Sequence, residues 1–507
     1  MEIEISKKKI VLFKERTNKI IINSDIDYED KTILSYGLYG IVEIENVKFM
    51  LSVSKINKRT SIKGHEVYEI ADVEIIQLNG KVFDFNLQRD DIKSFFYKPG
   101  IYFSSFPLYK NQSMNNIENE NDFLFNFKPL EKLREVNPEL SQFGINCIEG
   151  FYDLQNINGM YIGLISRRSW KRVGVRYFSR GSDAEGYCSN YVETELLLSY
   201  GYQELSFLQV RGSIPLVWSH IVTLSYTPKL LLGKESFLEK CHEVLKEKYS
   251  EVFYLNLIRK KGYEEPICKK FTESLKAKDY KYLHFDVHGS GPFEDPNVQQ
   301  TLLDNIKPIL DEFSFKKHDL YQSGVVRTNC IDCLDRTNLC QFIISHYMLE
   351  KMLLEIGIIN SQEIANMHRS MWYNNGNNLS LQYAGTSALK SYVVRGDARN
   401  SLGCLEDFLK SLKRYYINRQ THGRLQNTYE VLTGGNPKER KKTKRPGFLS
   451  PCMLFFMTIL IGIFSVSKFY SLRGIQMTAF AIFFLILDFN HQIDYPEYED
   501  SIKESCH

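Results

Sequence analysis

The sequence predicts an α/β catalytic domain with a C-x5-R phosphate-binding loop, preceded by a β-rich N-terminal subdomain and followed by a C-terminal transmembrane hairpin. Three observations predict this arrangement: short alternating apolar runs over residues 1–120, a segment from Cys330 to Arg336 between strand-like and helix-like patterns, and an uncharged stretch after Arg445. At 507 residues the chain is too long for a single hydrophobic core, so two or more domains are expected.

Residues 1–120 are predicted to form the β-rich subdomain. Runs such as Lys48-Phe-Met-Leu-Ser-Val and Ala71-Asp-Val-Glu-Ile-Ile alternate apolar and polar residues, which favours strands. Residues 110–122 are rich in asparagine and glutamate and indicate a loop or linker. From residue 121 to 435 strand-like and helix-like patterns intermix, as expected of an α/β catalytic domain.

Charge and cysteine usage limit the partners and the compartment. The formal net charge of +3 argues against a nucleic acid held by bulk charge. The ten cysteines lack regular spacing, and residues 1–19 are charged and contain no apolar signal-peptide core. We therefore expect reduced thiols in a cytosolic environment rather than a disulfide framework.

The segment from Cys330 to Arg336 predicts the chemistry. Val325 and Val326 indicate the end of a buried strand, and apolar residues at helical spacing predict a helix that begins at Arg336 or Thr337. Free amides of the turn and the positive end of the helix together form an anion site. We expect this field to lower the pKa of the cysteine and make it a nucleophile. The predicted reaction is phosphomonoester hydrolysis through a phosphocysteine, with no metal and no cofactor.

Two other chemistries share part of this pattern. Cys330 and Cys333 also form a C-x-x-C, which occurs in zinc sites and in thioredoxin-like redox pairs. The chain has no second C-x-x-C and no nearby C-x-x-H, which disfavours zinc. A redox pair is expected after a first βαβ unit rather than deep in the chain.

Each residue of the segment is assigned a role. Cys330 is the predicted nucleophile and Arg336 the clamp on two phosphate oxygens. The leaving alkoxide needs a proton, for which Asp332 and Asp335 are the candidates; the alternative is that either one shapes the loop by accepting its amides. The substrate-binding candidates are Asn329, Ile331, Cys333, Leu334, Thr337 and Arg327. For Cys333, packing is the simpler interpretation, although it could also trap an oxidised nucleophile as a disulfide.

The C-terminal region predicts a membrane anchor. Residues 446–467 are 22 uncharged positions, which at 1.5 Å per residue cross a hydrocarbon core of about 30 Å. The predicted boundaries are a basic linker at 436–447, transmembrane helices at 448–467 and 469–489, and a polar tail at 490–507. A buried soluble helix is the alternative for the first span, and an interfacial segment is the alternative for the second.

The flanking charges predict the orientation of this anchor. Six basic residues precede the first span and two follow it: Lys438, Arg440, Lys441, Lys442, Lys444 and Arg445 against Lys468 and Arg473. The positive-inside rule then places the catalytic domain in the cytosol. The basic run either attracts the anionic cytoplasmic leaflet or acts only as the topology signal.

The wider string from Arg327 to Asn338 closely resembles the signature of the SAC-domain phosphoinositide phosphatases. The resemblance covers residues 30–435. Its other blocks are Ser166-Arg167-Arg168-Ser169, Gly174-Val-Arg176-Tyr177, Arg180-Gly181, Asn190-Tyr-Val-Glu193-Thr194-Glu195, Gln209-Val-Arg211-Gly212-Ser213, Leu381-Gln-Tyr383-Ala-Gly385-Thr386 and Arg414-Tyr415-Tyr416. Basic residues at 167–180 would bind a polyanionic headgroup or form a solvated strand face. Asp286 and His288 begin a further block that the following residues do not continue.

The resemblance implies an activity and a location. Residues 1–120 would be the N-terminal SAC subdomain, and the substrate a phosphatidylinositol monophosphate, with the 4-phosphate preferred and the 3-phosphate second. The partners would be this lipid and the membrane of the endoplasmic reticulum or Golgi, with the catalytic domain cytosolic. Analogy with myotubularin loops favours Asp335 as the proton donor. The alternatives are a catalytically weak membrane-tethered lipid-binding scaffold and a protein phosphatase.

Overall fold

The computed structural model describes residues 35–435, except 79–85, 116–120, 223–226, 288, 292 and 398–400, together with four short backbone strands up to residue 35. Its strands are β1 (Glu2–Ile5), β2 (Lys8–Val11), β3 (Ile20–Ser24), β4 (Lys31–Ser35), β5 (Leu38–Ile44), β6 (Val47–Ile62), β7 (His65–Gln77), β8 (Ile101–Ser104), β9 (Cys147–Ile157), β10 (Met160–Arg168), β11 (Val192–Tyr200), β12 (Gln203–Arg211), β13 (Trp218–Ile221), β14 (Lys229–Leu232), β15 (Glu251–Asn256), β16 (Tyr282–His284), β17 (Lys316–Lys317) and β18 (Gly324–Asn329). The helices are α1 (Asn86–Phe96), α2 (Phe127–Val136), α3 (Leu238–Tyr249), α4 (Glu265–Ala277), α5 (Pro296–Phe313), α6 (Asp335–Glu355), α7 (Gln362–Ala384), α8 (Tyr392–Arg395), α9 (Ser401–Gln420) and α10 (His422–Leu432).

One mixed sheet of 12 strands organises the described chain. Its order is β16-β15-β18-β12-β11-β10-β9-β8-β7-β6-β5, and β17 pairs with β12 off this path. The strands from β5 to β12 pair antiparallel, whereas β12, β18, β15 and β16 pair parallel. This mixture of sheet and helices confirms the predicted α/β class. Because β8 pairs with β9, the sheet runs across the predicted boundary at residue 120.

The central parallel strand, β18, is buried along its whole length. All six residues of β18 are buried, as expected of a parallel strand with helices on either side, and α5 and α6 pack against it. This part of the sheet belongs to the largest hydrophobic cluster, which includes Val325 and Val326. A second cluster fills the N-terminal region and contains Tyr429 and Leu432 of α10. The last described helix, α10, therefore returns to pack against β5 and α1.

The predicted membrane segments lie outside the described residues. This applies to the basic linker at 436–447, to both spans at 448–467 and 469–489, and to the tail at 490–507. Over the part of the chain that the structure describes, no helix has the length and hydropathy that a bilayer crossing requires.

Candidate functional site

The loop of residues 330–336 leaves the carboxyl end of β18 between the ends of two neighbouring strands. The amide of Asn329 donates to the carbonyl of Gly212 just after β12 at 3.0 Å, and the Leu257 N–H just after β15 donates to the Asn329 carbonyl at 2.9 Å. Helix α6 begins at Asp335, within two residues of the prediction. Strand, loop and helix thus form the predicted unit, with the positive helix end at the loop.

Several predicted substrate-binding side chains instead lie behind the loop. Cys333 adopts a left-handed backbone conformation (φ 53°), and its Sγ donates to the Gly212 carbonyl at 2.9 Å. The same sulfur accepts the Cys330 N–H at 3.3 Å. Leu334 packs against Tyr383. Asn329 and Thr337 are fully buried, so these four residues shape the turn from inside the protein.

Asp332 is held by two arginines. Arg176 binds both carboxylate oxygens at 3.0 and 2.6 Å, and Arg180 binds one of them at 2.6 Å. Burial raises the pKa of this carboxyl, but the two guanidinium charges outweigh burial and hold the pKa well below its usual range. Asp332 therefore remains ionised at neutral pH. Its geometry disfavours proton donation and fits a tether between the loop and residues 176–180.

The rest of the basic cluster at 167–180 is largely structural. Arg167 pairs with Glu195 at 2.7 Å and Glu193 at 3.3 Å, and all three side chains are buried. Arg168 pairs with Glu149 at 2.8 Å in the same interior. The alternative of a solvated strand face is wrong for these two arginines. The Val-Glu-Thr-Glu block supplies the counter-charges of Arg167, and Glu149 supplies that of Arg168.

Arg336 is engaged by a carboxylate. Its guanidinium donates to both oxygens of Glu264, at 2.7 and 3.1 Å, and to the Leu257 carbonyl at 3.1 Å. Glu264 ends a short 3-10 turn directly before α4 and is buried. The role of Glu264 was not predictable from the sequence, because nothing in its neighbourhood signals a partner 72 positions away.

Cys330 differs from its predicted state. The side chain is 2% exposed, and burial raises the pKa of its thiol above the ordinary value. The charge of Arg336 acts in the opposite direction, while Glu264 and Asp332 add to the effect of burial. The expectation of a lowered pKa is therefore wrong for this conformation. The physical reason is first the burial of the sulfur and second the charge of Glu264, which opposes that of Arg336.

Asp335 lies at the first turn of α6 and faces a different set of groups. Its Oδ1 accepts the Leu389 N–H at 2.7 Å, and its Oδ2 lies 3.4 Å from the Arg414 guanidinium. Arg414 is fixed in turn by Thr386 and Ser380. The downstream blocks of the sequence thus converge on this second carboxylate.

Two cavities meet at Arg336. One, of about 410 Å³, is cationic: its lining includes Arg176, Arg259, Lys261, Arg336, Arg414 and Arg419, with Asp332 and Glu264 as the carboxylates. The other, of about 500 Å³, is mainly apolar, and its lining includes Val287, Phe293, Leu339, Leu389 and Phe408 beside Asp335. The first cavity suits a polyanion, because a concentration of cations lowers the free energy of bound phosphate.

Other predicted residues lie away from these cavities. Arg327 is fully buried and donates to the sulfur of Cys241 and the carbonyl of Ser213, so it does not line either cavity. Asp286 accepts the N–H groups of Lys260 and Gly289, and His288 lies outside the described residues. Within the described ranges, no three His, Cys, Asp or Glu side chains gather as a metal site would require.

The chain is similar to proteins that are named phosphoinositide phosphatases. A family described as the SacI homology domain matches residues 36–290. The chain is 30% identical to the Arabidopsis thaliana "Phosphoinositide phosphatase SAC7", over 79% of this chain and 74% of that protein. It is 30% identical to the Danio rerio "Phosphatidylinositol-3-phosphatase SAC1-B", covering 81% and 78%. It is 27% identical to the Saccharomyces cerevisiae "Phosphatidylinositol-3-phosphatase SAC1", covering 81% and 74%.

Proposed function

We infer that this chain, which belongs to the SAC-domain family of phosphoinositide phosphatases, hydrolyses phosphatidylinositol monophosphates through a phosphocysteine on the cytosolic face of a membrane. Membership makes the chain a phosphatidylinositol phosphate phosphatase. The position of the phosphate, the roles of the residues and the membrane face are our proposals. One observation carries them: the loop from Cys330 to Arg336 begins α6 and borders a cationic cavity.

The first step is an exchange of anions at Arg336. In the structure the guanidinium binds Glu264 with two hydrogen bonds, the arrangement it would make with two phosphate oxygens. A substrate phosphate that enters the cationic cavity replaces the carboxylate. The positive charge of Arg336 then acts on the phosphoryl group and on the Cys330 sulfur. The effect of Glu264 on the pKa of the thiol becomes smaller. The cysteine consequently ionises when substrate is bound.

The chemical step divides between Cys330 and one carboxyl group. The thiolate attacks phosphorus, an S–P bond forms, and the P–O bond to inositol breaks. The inositol oxygen takes a proton, and we assign its donor as Asp335, because Asp332 is kept ionised by Arg176 and Arg180. Water activated by the same carboxylate then cleaves the S–P bond and releases phosphate.

The position of the phosphate on the inositol ring is a separate proposal. A single phosphate occupies a loop of this size, and the six cations of the neighbouring cavity accommodate the diester phosphate that joins inositol to glycerol. We propose the 4-phosphate as the preferred position and the 3-phosphate as the second. The zebrafish and yeast relatives are named for the 3-phosphate, which keeps both positions in the test.

The proposed location combines the sequence of the tail with the position of the site. The basic residues at 438–445 and the two apolar segments at 448–467 and 469–489 would tether the enzyme to the endoplasmic reticulum or Golgi. Tethering raises the effective concentration of lipid at the cavities.

A lipid-binding scaffold that turns over slowly is the second candidate function. Two features favour it: Arg336 is occupied by Glu264, and Cys330 is protonated. The scaffold would bind the headgroup in the cationic cavity and release no phosphate.

A phosphate-release panel distinguishes these functions. Full-length protein is assayed on mixed vesicles that contain each of the phosphoinositides, beside a phosphotyrosine peptide. We expect release from the monophosphates, loss of at least about a thousandfold in Cys330→Ser, and retention in the neighbouring Cys340→Ser control, since a serine hydroxyl stays protonated where a thiol ionises. Vesicle binding without release would favour the scaffold, and faster release from the peptide would favour a protein phosphatase.

A further inference from the structure

A pair of cysteines lies apart from the catalytic loop. Cys188, in the connection between β10 and β11, and Cys241, in the first turn of α3, place their Sγ atoms 3.4 Å apart. Both residues are buried. The backbones are also close, because a Cβ added to Gly186 would lie 2.8 Å from the Lys240 carbonyl and 2.9 Å from the Cys241 nitrogen. Short backbone shifts would therefore bring the two sulfurs to bonding distance.

The pair lies beside a buried cation. Arg327 is 0% exposed, and its Nη1 donates to the Cys241 sulfur at 3.0 Å while its Nη2 donates to the Ser213 carbonyl at 2.9 Å. The acidic groups that act on this guanidinium are the two cysteines and Tyr254, and no carboxylate in the described part of the chain pairs with it. A buried guanidinium without a counter-ion is strongly unfavourable. A negative charge on one of the two sulfurs would supply the missing counter-charge.

We propose that Cys188 and Cys241 form a thiol–thiolate pair that neutralises Arg327 and is a site of oxidation by hydrogen peroxide to a disulfide. Cys188 is the ionised member: burial opposes its ionisation, but the hydrogen bond from the Cys241 thiol and the charge of Arg327 outweigh burial and lower its pKa to about 6. The pKa of Cys241 is raised, as expected of the thiol that keeps the shared proton.

The oxidation balances with peroxide alone. The Cys188 thiolate attacks one peroxide oxygen, the O–O bond breaks, and a sulfenic acid and hydroxide form. The Cys241 sulfur then attacks the sulfenic sulfur, the S–O bond breaks, and the departing hydroxide takes the Cys241 proton to form water. Two cysteines lose two electrons in total, and one peroxide is reduced.

This pair is connected to the catalytic loop through Arg327. Arg327 lies three positions before the nucleophile on β18, and the Ser213 carbonyl that it binds also accepts from the Asn329 amide at 3.4 Å. Disulfide formation removes the thiolate and leaves the guanidinium without its counter-charge. The oxidation state of the pair therefore acts on the strand that carries the loop.

The test separates this site from the nucleophile by using full-length Cys330→Ser protein. Samples are exposed to hydrogen peroxide, quenched in acid, alkylated in denaturant without reduction, and digested for mass spectrometry. We expect a linked Cys188–Cys241 peptide, with both thiols lost about tenfold faster than that of Cys147, which is equally buried but has its pKa raised by burial. Intact Cys188 and Cys241 thiols after the partly exposed Cys404 is oxidised, or a link from Cys188 to another cysteine, would overturn the proposal.

A second measurement tests the thiolate itself. The ultraviolet thiolate absorbance of the Cys330→Ser protein at neutral pH is compared with that of the same protein carrying both Cys188→Ala and Cys241→Ala, because Cys241 alone would still contact Arg327. Cys147→Ala is the matched control. We expect the double substitution to remove the absorbance of one thiolate and the control to remove none. Equal absorbance in all three proteins would overturn the assignment of the charge. The thiolate absorbance does not depend on turnover, so this measurement can be interpreted even if the proposed phosphatase mechanism is wrong.

Discussion

At the scale of single residues, the site is a set of charges that neutralise one another before substrate arrives. Asp332 is shared by Arg176 and Arg180, Arg336 is bound by Glu264, and Arg414 lies beside Asp335. Each of these four guanidinium groups therefore has a carboxylate already in place. In the mechanism that we propose, substrate binding replaces the carboxylate at Arg336 and so changes the charge around Cys330.

Replacing Glu264 by glutamine tests its effect on the nucleophile. The carboxylate raises the pKa of Cys330 directly and neutralises the arginine that lowers it, so we expect the pKa of the thiol to fall. The measurement is the rate of Cys330 alkylation by iodoacetamide against pH, followed by mass spectrometry. Glu265→Gln, an exposed neighbour, should leave the profile unchanged. Superimposed profiles for all three proteins would contradict the assigned role of Glu264.

Replacing Asp332 by asparagine tests the tether. Two arginines would lose their shared counter-ion in a site where the carboxylate is only 20% exposed, so we expect a loss of about 3 kcal/mol in the free energy of unfolding at neutral pH. The exposed Asp311→Asn, which breaks the pair with Lys351, should cost less than about 1 kcal/mol. Urea unfolding of the full-length protein provides both values.

The depressed pKa of Asp332 determines how its ion pairs contribute to stability as the pH falls. The folded-state pKa of Asp332 is depressed, so its contribution to stability is fully present above the unfolded-state value of about 3.9 and is lost as pH falls through the folded-state value. We expect the difference between native protein and Asp332→Asn to shrink when unfolding is measured at about pH 3. A difference that grows on acidification would contradict the ion-pair assignment.

At the scale of elements, a few backbone positions determine how helices reach the site. Helix α7 ends at Gly385, which has φ 78° and donates its N–H to the Leu381 carbonyl. This left-handed cap redirects the chain to Leu389 and Lys390, which border the apolar cavity. The cap also packs closely, because an added Cβ would lie 2.5 Å from Ile417 Cγ2 of α9. Glycine is therefore required there for two separate reasons.

Two alanine substitutions separate those reasons. Gly357 also has a left-handed conformation (φ 74°), but an added Cβ there meets nothing within 4 Å. We expect Gly357→Ala to cost about 1 kcal/mol in the free energy of unfolding from backbone strain alone. Gly385→Ala should cost clearly more because the methyl group also displaces Ile417. Urea unfolding of both variants provides the comparison, and equal losses would contradict close packing at the cap.

At the scale of the whole molecule, one sheet joins the N-terminal strands to the catalytic loop. Helix α10 strengthens that connection: the Tyr429 hydroxyl donates to Glu149 at 2.5 Å and accepts from Arg168 at 2.8 Å in the interior. The described chain thus ends on the first strands rather than beside the loop. The proposed basic linker and membrane segments follow directly after residue 435.

Removal of the residues after 435 tests the anchor. We expect full-length protein to remain with vesicles at high salt, and a chain that ends at Gly435 to stay in the supernatant, because apolar insertion is not screened by ions. A full-length control with glutamine in place of the six basic residues at 438–445 should still sediment with vesicles. If high salt alone released the full-length protein, surface charge rather than a membrane span would hold it.

Much of this molecule was predictable from local sequence. The alternating runs within residues 1–120 indicated strands, and the residues around Cys330 indicated a strand, a short loop and a helix start, all of which the structure contains. These features follow from the properties of consecutive residues, namely side-chain periodicity and the geometry of a short turn before a helix. The order of the strands was not predictable, because pairing joins residues that are distant along the chain.

The sequence by itself determined which groups we propose to react, since a cysteine and an arginine at the ends of one turn carry their chemistry locally. Only the tertiary structure decided their state. Burial and the contact of Glu264 with Arg336, across 72 positions, keep Cys330 protonated. The contact of Arg176 with Asp332, across 156 positions, keeps Asp332 ionised. Charge interactions and burial depend on distance in space, which the spacing of residues along the chain does not specify.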